Sequence, residues 1–261
     1  MRNARKDALL VALVLLGLPS AAVAADLSGR DVIARMLETR AQGSEDATSV
    51  LRLELISGSG GEVTRTVATY RKQCGDESRT LAVFREPADV AGSAVLSTSH
   101  PERGDDVWLY LPELGRVRQV NPYARSETFL GTDFTYEDLG MVEIDAREHR
   151  LTASGTLDGE PVYKVQSTPK GADETYGKVI TWVSRETFLP VRIDYFDHVG
   201  VLLRSGRFSD VRMVKGIPTP FDIEVENVQT GHRTRLTLLA ADYYGGLDCD
   251  LLTERHLTRG P

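Results

Sequence analysis

After Gly43, apolar and polar residues alternate along most of the chain in short runs separated by Gly, Asp, Asn and Pro. A period of two gives a strand one apolar face, and the residues between the runs favour turns. The pattern therefore predicts a chain made mainly of β-strands. The predicted strands are Ser49–Ser57, Glu62–Gln73, Arg79–Arg85, Ser93–Ser99, Val107–Pro112, Arg116–Val120, His149–Ser154, Val162–Thr168, Lys178–Ser184, Pro190–Asp197, Leu202–Arg212, Thr219–Asn227 and Thr234–Tyr243.

One segment before Gly43 has helical spacing instead. Its apolar positions are Leu27, Val32, Ile33, Met36 and Leu37. Ser28 precedes them as a candidate N-cap, and Asp31 stands three residues later, where a capping box places its carboxylate. We expect a helix that begins after Ser28 and ends near Gly43.

The predicted strands follow one another without alternating helices. Short turns such as Asp158-Gly159 and Val199-Gly200 join several of them, as in antiparallel hairpins. This order excludes a doubly wound α/β fold and favours a barrel, a half-barrel or a sandwich. No linker or shift in composition interrupts the chain, so we expect a single domain over residues 25–261.

The N-terminus has the order of a secretory signal peptide. Basic residues come first, an apolar run from Ala8 to Leu18 follows, and small residues including Ala22 and Ala24 come next. We expect cleavage before Ala25 and export to the periplasm. The alternative is a retained anchor, but the run is shorter than a membrane-spanning helix requires, and no Cys near the cleavage point offers a lipid attachment site.

The chain has two cysteines, Cys74 and Cys249. In an oxidising compartment such a pair favours a disulfide, whereas the alternative is two reduced thiols. A metal site is not expected, because two thiols without clustered histidines do not complete a tetrahedral shell.

Charge and motifs exclude several function classes. The net charge of −7 opposes binding to nucleic acid or to anionic lipid surfaces. No later apolar run is long enough for an integral membrane protein. There is no nucleophile elbow, phosphate loop or dinucleotide fingerprint. The adjacent acids Asp105-Asp106 and Glu137-Asp138 are typical of solvated turns, so we expect neither an enzyme nor a bound cofactor.

Two predicted strands are apolar on both faces. In Val107–Leu111, Trp108 and Tyr110 point one way and the three aliphatic residues the other. Val179–Val183 repeats the pattern, with Trp182 opposite its two valines. Each face needs a cover, which is a helix or loop on one side and the core or a ligand cavity on the other. Simple core packing is the alternative.

The segment Ser126–Met141 is too irregular for a strand but rich in large apolar groups. These include Phe129, Phe134 and Tyr136, between Gly131 and Gly140. Apolar groups in an exposed loop need a surface to cover them. We therefore expect a loop with one or two short helical turns that packs its aromatic residues on the sheet.

Four segments resemble the outer membrane lipoprotein-sorting proteins, which are LolA-like relatives of the periplasmic lipoprotein carrier. They are Phe84–Leu96, Asp105–Val120, Ser126–Gly140 and Lys215–Asn227. The resemblance implies a strongly curved antiparallel sheet that forms an incomplete (half) β-barrel with a few covering helices. Its apolar hollow would receive acyl chains. The carriers' lid-latching arginine is not assigned by motif to Arg52, Arg65, Arg71 or Arg79.

From the residues and the resemblance we predict a lid over the hollow, formed by Ser126–Gly140. Its aromatic residues would face a lining that includes Trp108 or Leu111. The candidate ligand-binding residues are Trp108, Tyr110, Leu111, Phe129, Phe134 and Tyr136. The predicted ligand is lipid or lipoprotein acyl chains, with an inner-membrane lipid exporter as a candidate partner.

The predicted function is a periplasmic carrier that shields an apolar ligand during transfer between membranes. Each exposed methylene costs about 0.8 kcal/mol in water, so an acyl chain needs a shield. The alternative is a docking or sensor module that binds an envelope lipid exporter or a stress-signalling protein.

Overall fold

The computed structural model describes residues 27–100, 103, 105–121, 127–128, 130–135, 144–171 and 175–258. The predicted signal peptide lies outside the described residues. Within them the thirteen predicted strands are confirmed. They are β1 Asp46–Ile56, β2 Glu62–Cys74, β3 Glu77–Glu86, β4 Ala94–Ser99, β5 Asp106–Leu111, β6 Arg116–Gln119, β7 Arg147–Leu157, β8 Glu160–Pro169, β9 Lys178–Ser184, β10 Pro190–Phe196, β11 Leu202–Val214, β12 Ile217–Asn227 and β13 His232–Tyr243. The helices are α1 Gly29–Ala41 and α2 Glu254–Leu257.

All thirteen strands form one antiparallel sheet in the order β6-β5-β4-β3-β2-β1-β13-β12-β11-β10-β9-β8-β7. Every neighbour follows its predecessor in the chain except at the centre, where β1 pairs with β13. We call β1–β6 the first wing and β7–β13 the second wing. Within the described strands, β6 and β7 each have one neighbour, so the sheet is not closed into a barrel.

The strand register assigns each side chain to one of two faces, because directly paired residues point the same way. We call the face on which α1 packs the α1 face. It includes Val165 of β8 and Val183 of β9, which contact α1. Through successive pairs it continues to Leu53 of β1 and Phe84 of β3. The other side is called the opposite face.

Helix α1 begins as its sequence predicts. The Ser28 hydroxyl accepts a hydrogen bond from the Asp31 amide, and the Asp31 carboxylate accepts one from the Ser28 amide. Val32 and Met36 are buried against the second wing. Gly29 is required there, because a Cβ at this position would lie 2.5 Å from the backbone nitrogen of Leu151 in β7.

The C-terminal segment packs on the opposite face of the first wing. Leu252 and Leu257 are buried against residues of β3, β4 and β5. A disulfide joins Cys74, at the end of β2, to Cys249, with a Cα–Cα distance of 5.9 Å. The predicted pairing of the two cysteines is thus confirmed, and it attaches this segment to the sheet.

Candidate functional site

An apolar cluster lies on the α1 face of the first wing. Its buried members are Leu53, Leu55, Val67, Ala82, Phe84, Val95 and Val107. Phe84 has no exposed surface and Val95 has 1%. Strands β1–β5 supply one or two residues each, so the cluster follows directly from the alternation of apolar and polar residues in those strands.

A loop lies against this cluster, and we call it loop 127–135; its described residues are 127–128 and 130–135. Thr128 and Thr135 form an antiparallel bridge across it. Leu130 packs against the cluster, and Gly131 approaches the Leu55 side chain. Leu130 and Gly131 both have positive φ values, of 47° and 76°, which turn the chain sharply at this contact. The loop therefore covers part of the apolar surface with its tip.

Polar contacts centred on Asp133 hold the loop to β13. The Asp133 carboxylate is 4% exposed and accepts a hydrogen bond of 2.8 Å from the Thr234 hydroxyl. The same oxygen lies 2.7 Å from His232 Nδ1. The Asp133 amide in turn donates to the Thr234 hydroxyl oxygen at 2.9 Å. These bonds satisfy a buried carboxylate that would otherwise be costly to desolvate.

Two arginines of the sheet donate to carbonyl oxygens of the loop. Arg65 Nη1 of β2 donates to the carbonyl of Leu130. Arg204 Nη1 of β11 donates to the carbonyl of Asp133 at 2.7 Å, and its Nη2 donates to the Tyr176 hydroxyl at 2.7 Å. The Arg204 guanidinium also lies 4.4 Å from the centre of the Tyr195 ring. Both wings thus hold one loop through side-chain donors.

On the opposite face, a second cluster covers the same strands. Trp108 and Tyr110 pack there with Leu252 and Leu257 of the C-terminal segment. The prediction that β5 is covered on this face is therefore confirmed, and on its α1 face Val107 and Leu109 belong to the apolar cluster that includes Leu130.

The structure therefore separates the predicted site residues. Trp108 and Tyr110 face the C-terminal segment, while Leu111 shares the side of β5 that carries Val107 and Leu109, which belong to the cluster beside Leu130. Phe134 belongs to the loop and is half-buried. Phe129 and Tyr136 lie outside the described residues. Of the lining residues named for the lid, only Leu111 is on the loop's side of the sheet.

Trp182 differs from Trp108 in what covers it. Lys164 Nζ and the Arg192 guanidinium lie 5.0 Å and 5.1 Å from the centre of its ring. Long cationic side chains cover the apolar ring while their charges stay hydrated. The sequence predicts a helix, a loop or a core on this face of β9, but in the structure side chains of the neighbouring strands cover Trp182.

Of the adjacent acids considered for acid–base chemistry, Asp106 is held by hydrogen bonds to other side chains. Asp106 accepts from Arg103 and lies 3.0 Å from His100 Nε2. The hydrogen bond from Arg103, with a smaller contribution from His100, lowers the pKa of Asp106. A carboxylate stabilised in this way is a poor proton donor. Glu137 and Asp138 lie outside the described residues.

Over the described ranges, no group of three or more His, Cys, Asp or Glu side chains is arranged to hold a metal ion. No helix in that part of the chain has the length and apolar character needed to cross a membrane. Two open cavities lie on the opposite face. One of about 300 Å³ is lined mainly by small and apolar residues around Val50 and Tyr70, and one of about 580 Å³ is lined mainly by charged residues around Arg52 and Arg207.

A family model described as that of an uncharacterized protein matches residues 76–259. A DUF1329 family protein from Desulfovibrio piger is 30% identical, with a TM-score of 0.82 over 88% of this chain and 97% of its own. The chain belongs to the DUF1329 family. No curated protein matches.

Two further structures are similar to this DUF1329 protein. A domain from Vibrio parahaemolyticus named for lipoprotein sorting is 27% identical, with a TM-score of 0.82 over 88% of this chain and 98% of its own. A LolA superfamily protein from Nitrosomonas europaea is 19% identical, with a TM-score of 0.68 over 87% and 98%, and shows the fold. The resemblance read from the sequence is confirmed.

The sequence did not identify Asp133, His232, Thr234 or Arg204 as residues of this site. The sequence assigns no role to Arg65. Asp133 lies within the segment that is rich in large apolar groups, and its position next to Phe134 in that segment is the one signal the sequence offers for it. The sequence contains no signal for His232 or Thr234, because only the pairing of distant strands brings these residues to the loop.

Proposed function

We propose that this protein is a periplasmic carrier that shields the acyl chains of a lipid or lipoprotein on the α1 face of its first wing. In this proposal residues 1–24 are a cleaved signal peptide, and loop 127–135 covers the ligand-binding surface. The LolA-like fold supports a carrier or binding module, and an inner-membrane lipid exporter is the candidate donor.

One observation carries the proposal, which is the way the loop is attached. Its tip packs Leu130 on an apolar cluster, while the hydrogen bonds described for Asp133 and Leu130 use side chains of the sheet. Such bonds can break without disturbing the backbone ladder of the strands. The loop can therefore leave an apolar surface that a ligand then occupies in its place.

The first experiment is native mass spectrometry of the protein purified from the periplasm, with organic extraction of bound molecules. We expect a mature chain that begins at Ala25 and carries lipid. A retained Met1, or a chain found only in membranes, contradicts export. Protein that neither retains lipid nor binds an added fatty acid contradicts the carrier.

A substitution in the loop separates a lid from ordinary core. Phe134→Asp places a charge on the half-buried side chain next to Asp133. We expect weaker binding of cis-parinaric acid, a fluorescent fatty acid, by about tenfold, because a charge facing an apolar ligand costs roughly 1.4 kcal/mol or more. Thermal unfolding should change little, since a lid belongs to the weakly held parts of a structure.

Val199→Asp is the matched control, because Val199 is 84% exposed in a turn of the second wing. It adds the same charge and should change neither binding nor stability. If Phe134→Asp unfolds the whole protein while the folded fraction binds the probe as before, Phe134 is a packing residue and the lid is wrong.

A further inference from the structure

The α1 face of strands β2–β4 changes from apolar to polar towards one end. Val67 pairs with Phe84 in one row across the strands. The next row holds Thr69, Ala82 and Val95, and the third row holds Arg71, Thr80 and Ser97. Side chains in such a row are direct cross-strand neighbours, with Cβ atoms about 4.5–5.5 Å apart. A guanidinium and two hydroxyls therefore follow one another across three strands.

Two of these polar groups have a buried atom without a protein partner. Arg71 Nε and Ser97 Oγ are both buried and make no hydrogen bond. Arg65 and Arg204 also bury an unbonded Nε on this face, but each donates through another nitrogen to the loop. Within the described ranges, the side chain of Arg71 has no ion pair and no hydrogen bond.

The electrostatic surroundings of Arg71 are unfavourable for its charge. Burial, and secondarily the positive charge of Arg40 in the last turn of α1, lower the pKa of Arg71. A buried cation without a counter-charge costs free energy, and so does a buried hydroxyl without a partner. A bound oxyanion would offset both costs, because carboxylate and phosphate oxygens accept strong hydrogen bonds from guanidinium and hydroxyl groups.

We infer that Arg71, Thr80 and Ser97 bind the anionic head group of the ligand, so that the cargo is an amphiphile with a carboxylate or phosphate at one end. The apolar part extends from this row over Ala82 and Val95 towards Phe84. Rows on one face lie about 6.6–6.8 Å apart along the strands. The acyl chain of the ligand therefore crosses only a few rows between the polar row and the Leu130 contact. The inference rests on the proposed function, because the acyl chain of the ligand needs the apolar surface that the loop covers.

The experiment compares cis-parinaric acid with its methyl ester, which has the same chain and no charge. We expect the wild-type protein to bind the acid about ten- to a hundredfold more tightly, which corresponds to one hydrogen bond between charged groups. Arg71→Gln should remove this preference and leave binding of the ester unchanged. Arg71→Lys should retain part of it. Arg52→Gln, on the opposite face of the neighbouring strand, is the matched control and should keep the full preference.

Thermal unfolding of the ligand-free variants gives a second readout. Because Arg71 is an unpaired cation, Arg71→Gln should leave the melting temperature unchanged or raise it. A structural arginine behaves in the opposite way, since its removal lowers the melting temperature. Weaker binding together with unimpaired stability therefore supports a ligand-binding residue.

The outcomes separate this inference from the proposed function. Equal binding of acid and ester by the wild type, or a preference that survives Arg71→Gln, overturns the head-group site and leaves the carrier standing. Failure of both probes to bind overturns the carrier, and the head-group site with it.

If inorganic phosphate alone binds at Arg71 and the acid has no advantage over the ester, the site takes a free oxyanion and the amphiphile is wrong. Displacement of the probe by oleate or by a short-chain phosphatidic acid identifies the head group, and either result supports the site when Arg71→Gln weakens the displacement.

Discussion

The two wings of the sheet are built from the same kind of strand but are covered differently. Each has one tryptophan on the opposite face. In the first wing Trp108 packs under Leu252 and Leu257 of the C-terminal segment. In the second wing Trp182 lies between the cations of Lys164 and Arg192, while α1 covers the other face.

The covers are exchanged between the wings. Helix α1 precedes β1 of the first wing in the chain but packs on β7 and β8 of the second. The C-terminal segment follows β13 of the second wing but packs on the first. Part of the core of each wing is therefore formed by a terminal segment that is joined in sequence to the other wing. We infer that the wings unfold together as one domain.

The largest expected effect comes from detaching α1. Val32 has no exposed surface, so Val32→Asp buries an unpaired carboxylate and should cost about 4 kcal/mol of unfolding free energy. Trp108→Phe and Trp182→Phe backgrounds let fluorescence follow each wing separately. Both signals should shift to the same lower midpoint. Glu38→Ala, on the exposed side of α1, is the control and should move neither. Two separate transitions would contradict the single domain.

Removal of the disulfide tests the cover of the first wing. The double substitution of Cys74 and Cys249 by Ser should cost about 2–4 kcal/mol, because it releases a constraint across 175 residues of the unfolded chain. In the native state, fluorescence of Trp108 should shift towards that of a solvated indole, while that of Trp182 should not. Unchanged emission from Trp108 would show that Leu252 and Leu257 hold the segment without the bridge.

A smaller, pH-dependent effect is expected at Asp46. Its carboxylate accepts hydrogen bonds from Lys72, Gly246 and Leu247 and so ties the start of β1 to the chain after β13. Burial opposes its ionisation, but these hydrogen bonds outweigh burial and lower its pKa.

The stabilisation by Asp46 is therefore complete above the pKa of the unfolded chain and is lost as pH falls through the lower folded value. Asp46→Asn should cost about 1–2 kcal/mol at neutral pH and less at about pH 3. Urea unfolding at several pH values measures it. A cost that stays constant with pH would show that the charge contributes nothing. Glu62→Gln, at the exposed start of β2, is the control.

Much of this fold follows from local patterns. Alternation located all thirteen strands to within a few residues, and Ser28 with Asp31 marked the start of α1. The two sides of β5 were also separable from sequence, because a strand with apolar residues at every position needs two covers. The groups that pack on each side could not be predicted, since only the tertiary fold brings Leu130 to the cluster of Val107 and brings Leu252 to the cluster of Trp108.

The polar part of the candidate site was harder to predict for the same reason. His232 and Thr234 lie about a hundred residues from Asp133 and read as ordinary residues at the start of a strand. Arg71 reads as one of several arginines in early strands. Its lack of a partner is a property of the packed face, and no spacing in the sequence encodes it.

The pairing of β1 with β13 also sets the order of events during folding. Most neighbouring strands are joined by short turns and can pair as soon as both have emerged, whereas the central pair joins residues as far apart as Ala47 and Tyr243. Until β13 is available, the β1 edge of the sheet stays open to other strands, including those of another copy. We therefore expect the ladder at the centre of the finished sheet to form last, and the β1 edge needs protection until the final strand is available.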